Sequence, residues 1–204
     1  MWSKRKDKKL SHKCLLHIGN KKASQGFTLI ELMMLISITG ILLTVAVPNF
    51  SVTIKDSKLD SNASRFMSDL SLTRSEAIKR GERVTICKSN DQSSCSTVST
   101  WNQGWIVFVD NVTENGQVDA GEIILRVKEA LDGGNQVVAS NNVNNYISYV
   151  SDGFSRMTSG AVQVGDIALC DDRKDDSKSP YLRINPTGRP LLGKVSESPL
   201  TCGA

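Results

Sequence analysis

Residues 27–47 form a run of 21 residues with one charged side chain, Glu31. The run follows a leader in which Lys4, Arg5, Lys6, Lys8, Lys9, Lys13, Lys21 and Lys22 stand against a single acid, Asp7. At a helical rise of ~1.5 Å per residue it spans roughly the 30 Å hydrocarbon core of a bilayer. The basic flank predicts that the leader stays cytoplasmic and that everything after Phe50 faces outward. An acid at the centre of a membrane helix costs roughly 2.5 to 3.5 kcal/mol, so Glu31 calls for a partner. Cleavage after Gly26 would supply one. The freed α-amino group of Phe27 is a cation one helical turn from Glu31, and packed helices can pair the amine of one chain with the acid of the next. The rival reading is a secretory signal cut near Thr44-Val45-Ala46. The length of the run and its internal acid speak against it.

The residues Gly26-Phe27-Thr28-Leu29-Ile30-Glu31-Leu32, continued by Ile41-Leu42-Leu43 and Ala46-Val47-Pro48-Asn49-Phe50, resemble the class III signal of type IV pilins and of the pseudopilins of type II secretion. The resemblance implies that a prepilin peptidase cuts between Gly26 and Phe27 and that Phe27 is then N-methylated. It also implies that Glu31 registers subunits in a helical filament, and that flexibility near Pro48 helps helices pack there.

The formal charge of +4 is misleading, because the leader holds eight of the 25 bases and one of the 21 acids. The remainder carries 17 bases against 20 acids, near −3, which argues against a general polyanion-binding surface. Cys14 belongs to the leader, leaving Cys87, Cys95, Cys170 and Cys202 in the exported part. An even count in an oxidising compartment favours two disulfides, and three pairings are open. Cys87 with Cys95 and Cys170 with Cys202 is preferred, because each pair encloses a polar, loop-like stretch. Zinc is the weaker reading, since neither spacing is C-x-x-C and no histidine follows Phe27.

Past Pro48 the pattern becomes amphipathic. Leu59, Ala63, Phe66, Met67, Leu70, Ala77 and Ile78 fall on one helical face, and Lys58, Asp60, Ser61, Asp69, Arg74 and Lys79 on the other. The pattern stops at Gly81, a C-cap residue. One long helix over 27–80 is expected, with a kink or a short melted segment at Pro48 and a second weak point at Gly40. Short apolar runs then read as strands at 82–88, 105–110, 122–131, 136–139, 146–150, 161–170 and 181–185. Residues 89–100 and 171–179 read as exposed loops. The predicted fold class is α+β, a long N-terminal helix packed on an antiparallel β-sheet head. Its organisation is a removable leader over 1–26, a helix over 27–80 with a membrane span at about 27–47, and a β-rich extracytoplasmic head over 81–204.

Thr85-Ile86-Cys87, the Trp-x-x-Gly-Trp-Ile-Val-Phe-Val-Asp of 101–110, Gly121-Glu122-Ile123-Ile124-Leu125-Arg126 and Pro186-Thr187-Gly188-Arg189 extend the resemblance to the GspH/FimT branch of pilin-like proteins. That branch includes the type II secretion pseudopilin H and the minor pilins FimU and FimT. The resemblance implies a low-abundance subunit near a filament tip, in the inner membrane by a single pass with its head in the periplasm. Its partners would be other pilins or pseudopilins and the prepilin peptidase. Some FimT proteins bind DNA through a C-terminal Gly-Arg-x-Arg motif. Here Gly188-Arg189-Pro190-Leu191 supplies the first arginine only, with Lys194 a little further on, so DNA is the alternative partner. Residues 170–202 hold six bases and five acids, which leaves a small counterion-release term.

Enzyme chemistry is not expected. Both histidines, His12 and His17, lie in the leader, which removes the Ser-His-Asp and Cys-His arrangements. Asp171-Asp172 and Asp175-Asp176 read as solvated surface. The oxygen-rich 110–119 segment invites Ca²⁺, but its Asn115-Gly116 reads as a hairpin turn and its spacing does not fit an EF-hand. Trp105 reads as core and Trp101 as the exposed aromatic. No metal or cofactor is assigned.

Overall fold

The computed structural model describes residues 26–203, the side chains of residues 45–49 excepted. The leader residues before Gly26, with Cys14 and both histidines, lie outside the described residues.

One helix, α1, runs Leu29–Arg80. Its start is written in Thr28-x-x-Glu31. Glu31 N–H donates to Thr28 Oγ1 at 3.3 Å, and Thr28 N–H donates to Glu31 Oε2 at 3.4 Å. This reciprocal box satisfies amides that a helix start otherwise leaves open. Its end is written in Gly81, whose φ of 72° suits a glycine and whose N–H donates to Ala77 C=O at 3.0 Å. Helical conformation persists through Gly40 and Pro48, so the melted segment considered at Pro48 is absent.

Contacts divide the chain into two compact units between residues 45 and 46. The second half of α1 therefore belongs with the strands. Leu59, Ala63, Phe66, Leu70 and Ala77 are buried along one stripe. Two members of the expected pattern change sides. Ile78 is half-exposed, because it lies 100° round the helix from Ala77. Asp69, expected on the polar face, is buried, because Trp105 and Arg126 both reach it.

Eight strands follow: β1 Val84–Lys88, β2 Trp105–Val109, β3 Ile124–Lys128, β4 Gln136–Ala139, β5 Tyr146–Tyr149, β6 Gly165–Cys170, β7 Pro180–Ile184 and β8 Pro190–Lys194. They form two four-stranded antiparallel sheets, in the orders β3-β2-β1-β5 and β4-β6-β7-β8. The largest hydrophobic cluster joins the α1 stripe to Val84, Ile86, Val107 and Ile147 of the first sheet and to Ile167, Leu169, Leu182 and Ile184 of the second. A smaller cluster, Cys87, Ile106 and Phe108, lies on the opposite side of β1 and β2. Both strands are buried at every position, which is why they read as continuous apolar runs.

β8 was not expected. It opens on a proline, contains Gly193 and leaves Leu191 and Leu192 half-exposed, as an edge strand can. A Cβ at Gly193 would stand 2.5 Å from the Tyr181 ring, so the glycine lets β8 pair closely with β7. The expected loops are also less free than their polarity implies. Ser89, Ser99, Asp171 and Ser179 are buried.

Candidate assembly site

Gly26, Phe27 and Thr28 precede the helix and are exposed. The bond between Gly26 and Phe27 thus lies in non-helical chain just before the first turn. Glu31 is the acid of that first turn. A carboxylate there meets the positive end of the helix dipole as well as Thr28 N–H. Within its own chain Glu31 thus has a capping partner in Thr28. The residue that sequence reasoning passed over is Thr28, although the box signature was legible in it.

The apolar side chains from Leu29 to Leu43 are all exposed, Leu29 at 77% and Leu43 at 55%. No helix of the described residues is long and apolar enough to cross a membrane. The expected span at 27–47 runs into Val45, Ala46 and Val47, whose side chains lie outside the described residues, as does that of Pro48.

In the head, disulfides join Cys87 to Cys95 and Cys170 to Cys202. The first ties the 89–94 loop to β1. Within that loop Asp91 accepts from Ser93 N–H, Ser94 N–H and two serine hydroxyls, which hold its carboxyl well below the usual range. The second clamps the C-terminal segment to β6, and Asp176 Oδ1 accepts from Cys202 N–H at 2.8 Å. Asp171 and Asp172 are not simply solvated. Arg173 bridges Asp171 and Asp56, and Lys55 holds Asp172 at 2.7 Å, lowering that carboxyl.

Trp101 is buried, which corrects its reading as the exposed aromatic. Its Nε1 donates to Val143 C=O at 3.1 Å, and its ring meets Phe66 edge-on at 5.3 Å. Trp105 also meets Phe66 edge-on, at 4.9 Å, and donates to Asp69.

The 110–119 segment connects the antiparallel pair β2 and β3. Its oxygens serve its own donors. Asp110 Oδ2 accepts from Thr85 Oγ1 and Gly116 N–H, and Asp119 Oδ2 from Thr113 and Asn115. Glu122 accepts from three backbone amides. No cluster of three metal-ligating side chains occurs among the described residues. Burial pushes the Asp110 carboxyl above the usual range, and its Oδ1 has no hydrogen-bond partner.

The structure does not bring Arg189 and Lys194 together. They sit at opposite ends of β8, about 17 Å of strand apart. Lys194 Nζ donates to Lys178 C=O and lies 3.6 Å from Asp60. Arg173 and Arg183 also hold carboxylates. Arg189 is exposed, its backbone N–H donates to Asn185 Oδ1, and its side chain lines a groove with Arg74. Nothing in the sequence joins positions 74 and 189.

The family model described as type II transport protein GspH matches residues 62–188, and the one described as the prokaryotic N-terminal methylation motif matches residues 21–47. Among solved structures, the type IV minor pilin FimU of Pseudomonas aeruginosa aligns at 18% identity over 72% of this chain and 97% of its own, with a TM-score of 0.53. A second crystal form of FimU gives 19% identity over 71% and 99%, with a TM-score of 0.51. The minor pseudopilin EpsH of the Vibrio cholerae Type 2 Secretion System aligns at 13% identity over 72% and 99%, with a TM-score of 0.45. No curated protein matches the chain.

Proposed function

Because this chain belongs to the GspH family of minor pilins and pseudopilins, we propose that it is a minor pilin that helps initiate or cap a type IV pilus. The observation that carries the reading is the exposed apolar half of α1 behind a non-helical, exposed Gly26-Phe27-Thr28. Apolar side chains along a whole helix circumference need a nonaqueous solvent or other helices. The N-terminal methylation motif over 21–47 fits both in turn. Residues 27–47 anchor the precursor in the inner membrane, with the head in the periplasm. A prepilin peptidase cuts Gly26 from Phe27, Phe27 is N-methylated, and the helix passes from lipid into a bundle of neighbouring pilin helices.

Glu31 then exchanges partners. In the uncut chain its carboxylate closes the box with Thr28. In the filament it meets the α-amino group of a neighbour's first residue, an ion pair in which both donor and acceptor are charged, whereas only the acceptor is charged in the amide bond it replaces. Glu31→Ala is expected to be processed and retained in the membrane but absent from sheared filaments. Thr28→Ala keeps the carboxylate and should incorporate. Normal incorporation of the Glu31 variant would sink this pairing.

The second reading is a pseudopilin of type II secretion, favoured by the description of the matching family model. Deletion separates the two. Loss of surface pili with intact secretion supports the pilus, and the reverse supports the secretion piston.

A further inference from the structure

A groove of about 320 Å³ runs beside the last turns of α1, where Met67, Ser71, Arg74 and Ile78 face Arg189 and Pro190 of the β7–β8 corner. Arg80, Arg83, Arg126, Arg173 and Arg183 each hold a carboxylate. Arg65, Arg74, Arg156 and Arg189 hold none among the described residues, and of these Arg74 and Arg189 share this groove. Arg74 Nε donates to Gly153 C=O at 2.9 Å, which leaves its two terminal nitrogens without a hydrogen-bond partner among the described residues. Two guanidiniums with no acid share one groove in a chain that has more acids than bases once the leader is gone.

The walls are held in place by glycines. A Cβ at Gly153, which has φ of 78°, would stand 2.8 Å from Ile78 and 3.3 Å from Arg74 Nε. A Cβ at Gly188, with φ of 73°, would stand 2.3 Å from Gly153 C=O. The 150–154 turn is thus pressed on the helix and the 185–189 turn on the 150–154 turn. Arg74 is oriented by the first, and Arg189 is anchored by its backbone bond to Asn185. Side chains ordered before binding lose less on binding.

We propose that this groove binds an acidic peptide segment of a partner protein. One carboxylate accepts from the Arg74 and Arg189 forks, and an adjoining apolar side chain lies on Met67 and Ile78. Guanidinium forks match a carboxylate in geometry as well as charge. Ile78 is half-exposed and Met67 partly so, which supplies the apolar contact. A nucleic acid is the poorer occupant. Lys194, the next cation along β8, is turned to Asp60, so the groove offers two phosphate contacts and a slight salt dependence.

The test uses the full mature chain in zwitterionic detergent and two pools of rhodamine-labelled, end-blocked hexapeptides with apolar flanks, one with glutamate and one with glutamine at the centre. Fluorescence polarisation is expected to show the glutamate pool binding about tenfold more tightly than the glutamine pool. Arg189→Gln should remove that preference while leaving the thermal midpoint unchanged, since its side chain holds nothing in the fold. Equal binding of the two pools, or an undiminished preference in Arg189→Gln, overturns the proposal. So does tighter binding of a 12-nucleotide DNA that is lost in the same variant, which would make the groove a phosphate site.

Discussion

The two halves of α1 share one backbone geometry and opposite fates. From Leu29 to Leu43 the apolar residues go all the way round, and all are exposed. From Leu59 to Ala77 they keep to one stripe, and that stripe is buried against two sheets of the same chain. The first half contains more apolar surface and contributes less to the stability of the isolated fold, because hydrophobic stabilisation is proportional to area removed from water. In the proposed role its surface serves lipid and then other subunits. The second half is stabilised within the chain.

The contrast breaks first at Phe66, which stands between both tryptophans. Phe66→Ala should lower the unfolding free energy of the head by about 3 to 5 kcal/mol in urea titration. Leu35→Ala should leave it unchanged in the same detergent, and an equal loss in both would erase the distinction between the halves. Next come the disulfides, both confined to the head. Replacing Cys170 and Cys202, 32 residues apart, should cost about 3.5 kcal/mol, and replacing Cys87 and Cys95, eight apart, about 2.5 kcal/mol. A reversed order would mean that loop length does not govern the effect.

A smaller test concerns Asp110, buried between β1 and the 110–119 loop. Its carboxyl titrates above the usual range. The stability it contributes is therefore fully present below its unfolded value and lost as the pH rises through its folded value. A plot of thermal midpoint against pH should show this decline in the wild-type protein and lack it in Asp110→Asn. Superimposable curves would mean that the group titrates alike folded and unfolded. The smallest effect is expected at Tyr149, whose buried hydroxyl has no hydrogen-bond partner. Tyr149→Phe should be neutral or up to about 1 kcal/mol more stable by the same melts.

Much of this was legible because it is local. Thr28, Glu31 and Gly81 mark the ends of α1 through contacts within four residues. β4 falls where its apolar run predicts, and β1, β2, β6 and β7 lie within or beside theirs. β8 escaped because an edge strand needs no apolar alternation, and its proline and glycine argue against a strand. Trp101 escaped because it sits in a short helical turn before β2, outside any apolar run. Phe66, 35 residues earlier, and Val143, 42 later, bury it. The Arg74 and Arg189 groove escaped for the same reason: α1 and the β7–β8 corner are brought alongside by the stacked turns at Gly153 and Gly188, far apart in sequence.

By itself the sequence determined the anchor-like run, the acid at its head, the amphipathic turns after it and a β-rich domain with an even number of cysteines. Each of these is a matter of composition or of period along the chain, and period is set by backbone geometry alone. Only the tertiary structure decided that Asp69 belongs in the core, that Trp101 is covered, that Lys194 is engaged by Asp60 and that Arg74 faces Arg189. Each of those depends on which distant side chain arrives alongside, and burial and pairing are properties of that neighbour as much as of the residue.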